Sequence, residues 1–207
     1  MKKIFLIIFM FILVFLIYIL NLDKKIYVLS MGDYITLGNN GNNYQNDISN
    51  YLGKKLENNV IYGNNGDYRI IDLFNDIKNN KKFKFEDKVY TINNAIIKAD
   101  IIFVSIGMND LRYNKNNNNY DYIDEVIDDL DKLFKLIRKY SKEKIYIFNY
   151  YDLGTQLKYV NNRLEKVANR YNINIIDISN IENMELNKTD FDNISKKIKN
   201  NFTNLKK

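Results

Sequence analysis

The chain has 207 residues, enough for one domain plus an appendage. Its 31 Lys and Arg against 25 Asp and Glu give a net charge of +6 with the two signs interspersed, so no nucleic-acid partner is expected. There is no Cys and no His, which excludes disulfides, thiol chemistry and any ordinary zinc site, and no cofactor is implied.

The first element is apolar. Residues 4–22 carry no charge and are nearly all Ile, Leu, Phe, Met and Val, flanked by Lys2 and Lys3 before and by Asp23, Lys24 and Lys25 after. A helix of about 20 such residues crosses about 30 Å of hydrocarbon. A cleaved signal peptide would have a shorter apolar core and small residues at its cut. This run instead ends in Tyr18, Ile19, Leu20, Asn21 and Leu22. The expectation is an uncleaved membrane anchor over residues 1–25, with the remainder, 26–207, as one domain. The lysines before the run place that domain outside the cell by the positive-inside bias. Lysines elsewhere, with Lys206 and Lys207, suit an anionic membrane surface.

Beyond the anchor, short β-rich runs alternate with helical patterns. Ile26 to Met31 predicts a strand that stops at Gly32. Ile48, Leu52 and Leu56 have helix spacing over 43–56. Val60 to Tyr62 predicts a second strand, closed by Gly63 and Gly66, and Ile70, Leu73, Phe74 and Ile77 mark a helix over 69–77. The continuous apolar run Ile101 to Ile106 suits a strand buried on both faces of a parallel sheet. Ile123, Val126, Ile127, Leu130, Leu133, Phe134 and Ile137 form the apolar stripe of a helix over 122–140. Strands over 145–148 and 173–178, a helix over 157–171 and a last helix around Ile194, Ile198 and Phe202 complete the pattern. This alternation predicts an α/β fold, a three-layer α/β/α sandwich of the flavodoxin-like kind with about five parallel strands. Ligands of such sheets bind beyond the carboxyl ends of the strands. That singles out the loops at 32–40, 63–68 and 107–118 and the segment 179–192. The asparagine-rich run 114–119 reads as a solvated loop tip.

Three of these loops carry a pattern. Gly32-Asp33-Tyr34-Ile35-Thr36-Leu37-Gly38 follows the first strand, Gly63-Asn64-Asn65-Gly66 the second, and Gly107-Met108-Asn109-Asp110 the third. In order and in strand context, they resemble the blocks of the SGNH (GDSL-type) ester hydrolases, in particular small bacterial lipase/acylhydrolase proteins with an N-terminal membrane segment. The likeness spans residues 26 to about 200. It implies that Gly66 lends a backbone N–H and Asn109 a side-chain amide to an oxyanion hole, with Gly32, Asp33, Gly107 and Asp110 as supporting motif residues. Taken singly, each block is equally well read as turn glycines and caps.

The pattern fails where the chemistry would sit. The family's nucleophilic serine corresponds to Tyr34, a bulky phenol that is protonated at neutral pH. The family's Asp-x-x-His block aligns, loosely, with Glu182 to Glu185, so Glu182 stands for the aspartate and Glu185 for the histidine. A carboxylate is a weak base for an alcohol unless burial raises its pKa. Tyr34, Tyr62, Tyr68, Tyr113, Tyr150 and Tyr151 lie at or near these loops and suit a sugar face, an acyl chain or ordinary packing. Three functions stay open. One is a catalytically impaired esterase-like protein of the bacterial cell membrane that binds a cell-envelope ester, lipid, glycan or partner protein. Another is an ester hydrolase acting on lipid or glycan acyl or acetyl esters through Tyr34 and Glu185. The third is an anchored structural domain.

Overall fold

The computed structural model describes residues 2–22, 26–38, 44–45, 47–48, 56–62, 67–85, 87–113, 120–181 and 186–203. Helix α1 runs over Lys2–Leu22. Its side chains are described over residues 7–17, all of them exposed. Among the described residues no helix is long and apolar enough to cross a membrane.

The body is built on five parallel strands: β1 (Ile26–Gly32), β2 (Leu56–Tyr62), β5 (Ile101–Ser105), β6 (Lys144–Phe148) and β7 (Asn174–Ile176), in the order β2-β1-β5-β6-β7. With β1 and β5 at the centre, the sheet reverses direction of growth between them, which is the point where doubly wound sheets open a crevice. All five residues of β5 are buried, as its uninterrupted apolar run requires. Helices α3 (Ile70–Lys78), α6 (Asp121–Tyr140) and α7 (Leu157–Arg170) pack side by side, α6 in the middle. The predicted stripe of α6 is buried in full, from Ile123 to Ile137. On β5, Phe103 stacks on Tyr146 and meets Tyr44, whose segment is tied to α8 (Lys188–Thr203) by a hydrogen bond from Ser195 Oγ to Asp47 Oδ2.

Two expectations are corrected. The helix expected over 43–56 does not reach its last residue, because Leu56 opens β2. The second strand is therefore longer than the Val60–Tyr62 run. Its polar Glu57, Asn58 and Asn59 hide it, and they are tolerated because β2 is an edge strand with one neighbour. The loop expected from Gly107 onward contains a short helix, α5 (Met108–Tyr113).

Three further elements are not foreseen. An antiparallel hairpin joins β3 (Lys82–Phe85) to β4 (Lys88–Thr91), pairing Phe83 with Tyr90 and Lys84 with Val89. Helix α4 (Ile92–Lys98) follows directly. The first block itself forms a single turn of helix, α2 (Tyr34–Leu37).

Candidate functional site

The site is assembled where β1 and β5 end side by side. Gly32 closes β1 at φ +135, and a Cβ there would lie 1.7 Å from the carbonyl oxygen of Ser105. Only glycine permits this approach. It brings Asp33 over the end of β5, where its amide donates to the Ser105 carbonyl at 2.7 Å. The Asp33 side chain then caps α2, with Oδ1 accepting from the Ile35 amide at 3.2 Å and from the Ser105 hydroxyl at 2.5 Å. Asp33 is 1% exposed, and its Oδ2 has no hydrogen-bond partner among the described residues. Burial raises its pKa from 3.8 to about 7, against the opposing pull of the Ser105 and Ile35 hydrogen bonds and of the Arg112 charge. Near neutral pH this carboxyl is therefore protonated much of the time. Ser30, Thr36, Tyr44 and Gln45 complete a buried polar cluster around it.

Tyr34 leads α2 and stands where the resemblance puts the nucleophile. Its ring is half-buried and its hydroxyl is buried beside Arg112, with no hydrogen bond of good geometry among the described residues. Burial pushes the phenol well above its ordinary value, and the nearby Arg112 guanidinium offsets this only in part. Arg112 lies 5.8 Å from the centroid of the Tyr34 ring and 5.9 Å from that of Tyr151, so one cation is held between two tyrosine faces. Tyr151 is fully buried, and its hydroxyl has no hydrogen-bond partner among the described residues. The phenol is thus stabilised in its neutral form, which is not nucleophilic. Ser105, at the end of the neighbouring strand, is 1% exposed and already donates to Asp33.

The third block braces the start of α3. Gly107 turns at φ +101, where a Cβ would strike the Tyr150 hydroxyl at 2.3 Å. That hydroxyl donates to the Ile106 carbonyl at 3.1 Å. The Asn109 side chain sits at the carboxyl end of β5 and donates through Nδ2 to the Tyr68 carbonyl at 3.0 Å. Asp110, 4% exposed, accepts from the Ile70 amide at 3.1 Å and from Arg69 Nε at 3.1 Å, so it caps α3. Burial raises its pKa, while the Ile70 amide and the Arg69 charge pull it down.

The structure thus brings Gly32, Asp33, Tyr34, Gly107, Asn109 and Asp110 to the same end of the sheet. Gly66, Glu182 and Glu185 lie outside the described residues. Of the loop tyrosines, Tyr68, Tyr150 and Tyr151 are buried and packed, not displayed as sugar platforms, while the side chains of Tyr62 and Tyr113 are outside the description. Two participants are not foreseen: Ser105, hidden in an apolar strand pattern, and Arg112. Helix α5 places Arg112 one turn beyond Met108, a position that a helical reading of 108–113 gives without its tyrosine partners. A separate open cleft of about 560 Å³ lies past the ends of β6 and β7, lined by Asn149, Lys158, Asn161, Glu165, Asp177 and Ser179. Asn149 and Asp177 are hydrogen-bonded to each other there at 2.7 Å.

Solved structures share the fold. A lipase from a goat rumen metagenome superposes with a TM-score of 0.60 at 13% identity, covering 85% of this chain and 97% of its own. A Clostridium thermocellum family 3 carbohydrate esterase gives 0.59 at 16% identity, with 88% and 97% covered. A GDSL-like lipase from Parabacteroides merdae gives 0.55 at 13% identity, with 76% and 79% covered. The fold is that of the SGNH (GDSL-type) hydrolases. No family model matches the chain, and no curated protein does.

Proposed function

We propose that this SGNH-hydrolase-like domain is catalytically impaired and serves to bind a cell-envelope ester, glycan or partner protein at the outer face of a bacterial membrane. The observation that carries the reading is Tyr34. The residue at the nucleophile's place is a buried neutral phenol under a guanidinium, in a chain without histidine. A serine hydrolase needs a hydroxyl that a base can deprotonate. Here the base is missing, and burial opposes the ionisation. The reading is supported by β1 and β5 ending side by side at Gly32 and Ser105, a frame of the kind that can bind carbonyl or sugar oxygens without cleaving them. Fold alone does not confer turnover.

Residues 4–22 act as a single-pass anchor in this reading, with 26–207 as the outer domain. The uncharged run and the exposed apolar side chains of residues 7–17 on α1 support it.

The test is hydrolysis of p-nitrophenyl acetate and butyrate by the purified protein, beside Tyr34→Phe and an empty-vector preparation. The expected result is turnover at background for both proteins. Turnover that Tyr34→Phe abolishes would instead establish an ester hydrolase working through the phenol.

A further inference from the structure

The charge pattern looks interspersed along the chain, yet the fold gathers part of it. Between Lys78 and Lys98 there are six lysines and two acidic residues, Glu86 and Asp87, which fall between β3 and β4. The hairpin turns Phe83, Phe85 and Tyr90 toward the body, where Phe83 stacks on Tyr90 at 5.6 Å. Its other face is left with Lys82 and Lys84, and Val89, cross-strand partner of Lys84, is 68% exposed. Lys88 is exposed at the start of β4. Ile97, 57% exposed, and Lys98 end α4. Exposed aliphatic side chains among exposed lysines form the chemistry of an interfacial surface, in which apolar groups enter the headgroup boundary and lysines meet lipid phosphates.

The position of this surface selects its occupant. Lys88, Tyr90 and Lys98 line one small cleft of about 200 Å³ with Tyr27 and Val28, at the start of β1. Asp100 fixes that start, since its Oδ2 accepts from the Tyr27 amide at 2.9 Å. Helix α1 ends at Leu22 and β1 begins at Ile26. Four residue steps reach at most about 14 Å. Whatever holds α1 therefore lies close to this end of the sheet. The Tyr34 loops lie at the other end of β1, seven residues away, or roughly 20 Å at the strand rise.

We propose that the outer face of the β3–β4 hairpin and the end of α4 dock onto an anionic lipid surface, setting the domain upright with its Tyr34 end directed away from the bilayer. The proposal rests on the anchor reading above, and it adds the partner surface and the orientation.

The chain has no cysteine, so a single introduced one is labelled uniquely. The full chain is placed in lipid nanodiscs with an environment-sensitive fluorophore on Val89→Cys or, as the distal control, on Thr155→Cys. In phosphatidylglycerol-rich discs the Val89 label is expected to shift to the blue and lose accessibility to an aqueous quencher, while the Thr155 label stays exposed. The Val89 effect is expected to vanish in purely zwitterionic discs, in 1 M salt where screening acts within about 3 Å, and in the Lys84→Glu/Lys88→Glu/Lys98→Glu variant. A Val89 label equally exposed in both lipids, on a chain that co-elutes with the discs, would overturn the docking and leave the anchor standing. A chain that does not co-elute with discs would overturn the anchor, and the orientation with it. The lipid and salt arms use the unaltered lysines, so they decide even if the charge variant misfolds.

Discussion

The hydroxyl of Ser105 donates to Asp33 Oδ1 at 2.5 Å, and the Ser105 carbonyl accepts the Asp33 amide at 2.7 Å. Two residues 72 apart in the chain thus lock the ends of the two central strands, and the first block is held by its aspartate before any ligand arrives. The carboxyl is buried, which is why its pKa rises to about 7 against the pull of the Ser105 and Ile35 hydrogen bonds.

That rise predicts a pH dependence of stability with a definite sign. The folded pKa lies above the ordinary 3.8, so native Asp33 keeps a proton that the unfolded chain has already released. Its contribution is complete below about pH 4 and is lost as pH climbs through about 7, at up to about 1.4 kcal/mol per pH unit. Asp33→Asn keeps the amide oxygen as acceptor and removes the titration. Urea unfolding at pH 5 and pH 8 should show the variant gaining on the parent chain toward high pH, by a total on the order of 2 to 3 kcal/mol. A constant difference between the two proteins would mean that Asp33 does not titrate in this range.

Two glycines with positive φ should respond very differently to alanine. At Gly32 a Cβ would sit 1.7 Å from the Ser105 carbonyl oxygen, so β1 and β5 must part at their junction. The loss should be about 3 kcal/mol or more, with little soluble protein. At Gly154, φ +55, nothing lies within 4 Å of the added atom. Only the left-handed backbone penalty remains there, about 1 to 2 kcal/mol. Thermal melts of Gly32→Ala and Gly154→Ala compare the two directly.

These positions also show what a sequence discloses. Gly32, Asp33, Gly107 and Asp110 were legible because a turn glycine and a capping aspartate leave the same mark wherever strands end in this fold. The centre of the sheet was legible too, since β5 is buried on both faces and must be apolar throughout. Strand β2 was half-hidden because an edge position lets Glu57, Asn58 and Asn59 interrupt the pattern. Arg112 was invisible for another reason. Its role depends on reaching Tyr34 and Tyr151 across three separate loops, and no local pattern encodes a contact of that kind.

Asp110 should matter for folding irrespective of any ligand. It accepts the buried Ile70 amide at the first turn of α3 and the Arg69 guanidinium at 3.1 Å. Arg69 is 42% exposed along its side chain, so the ion pair itself is worth little. The amide is the larger item, because Asp110→Ala leaves a buried donor unsatisfied at about 1 to 3 kcal/mol. Asp110→Asn retains an acceptor and should recover more than half of that in urea unfolding. Equal losses for the two variants would assign the effect to the charge instead.

Tyr34 and Arg112 offer the test closest to the site. Among the described residues the buried Tyr34 hydroxyl makes no hydrogen bond of good geometry, so removing it in Tyr34→Phe releases a poorly solvated polar group and leaves the aromatic face under Arg112. Stability should stay within about 1 kcal/mol of the parent chain or rise. Tyr34→Leu removes the face as well, and Arg112→Ala removes the cation. In a double-mutant cycle the Tyr34→Leu/Arg112→Ala pair should show a coupling of about 0.5 to 1 kcal/mol, the range of a partly exposed cation–π contact. The Tyr34→Phe/Arg112→Ala pair should show almost none, since phenylalanine keeps the ring that the guanidinium covers. Coupling of similar size in both cycles would mean that the hydroxyl is what Arg112 holds, and the phenol oxygen would then accept a guanidinium N–H rather than Arg112 covering the ring.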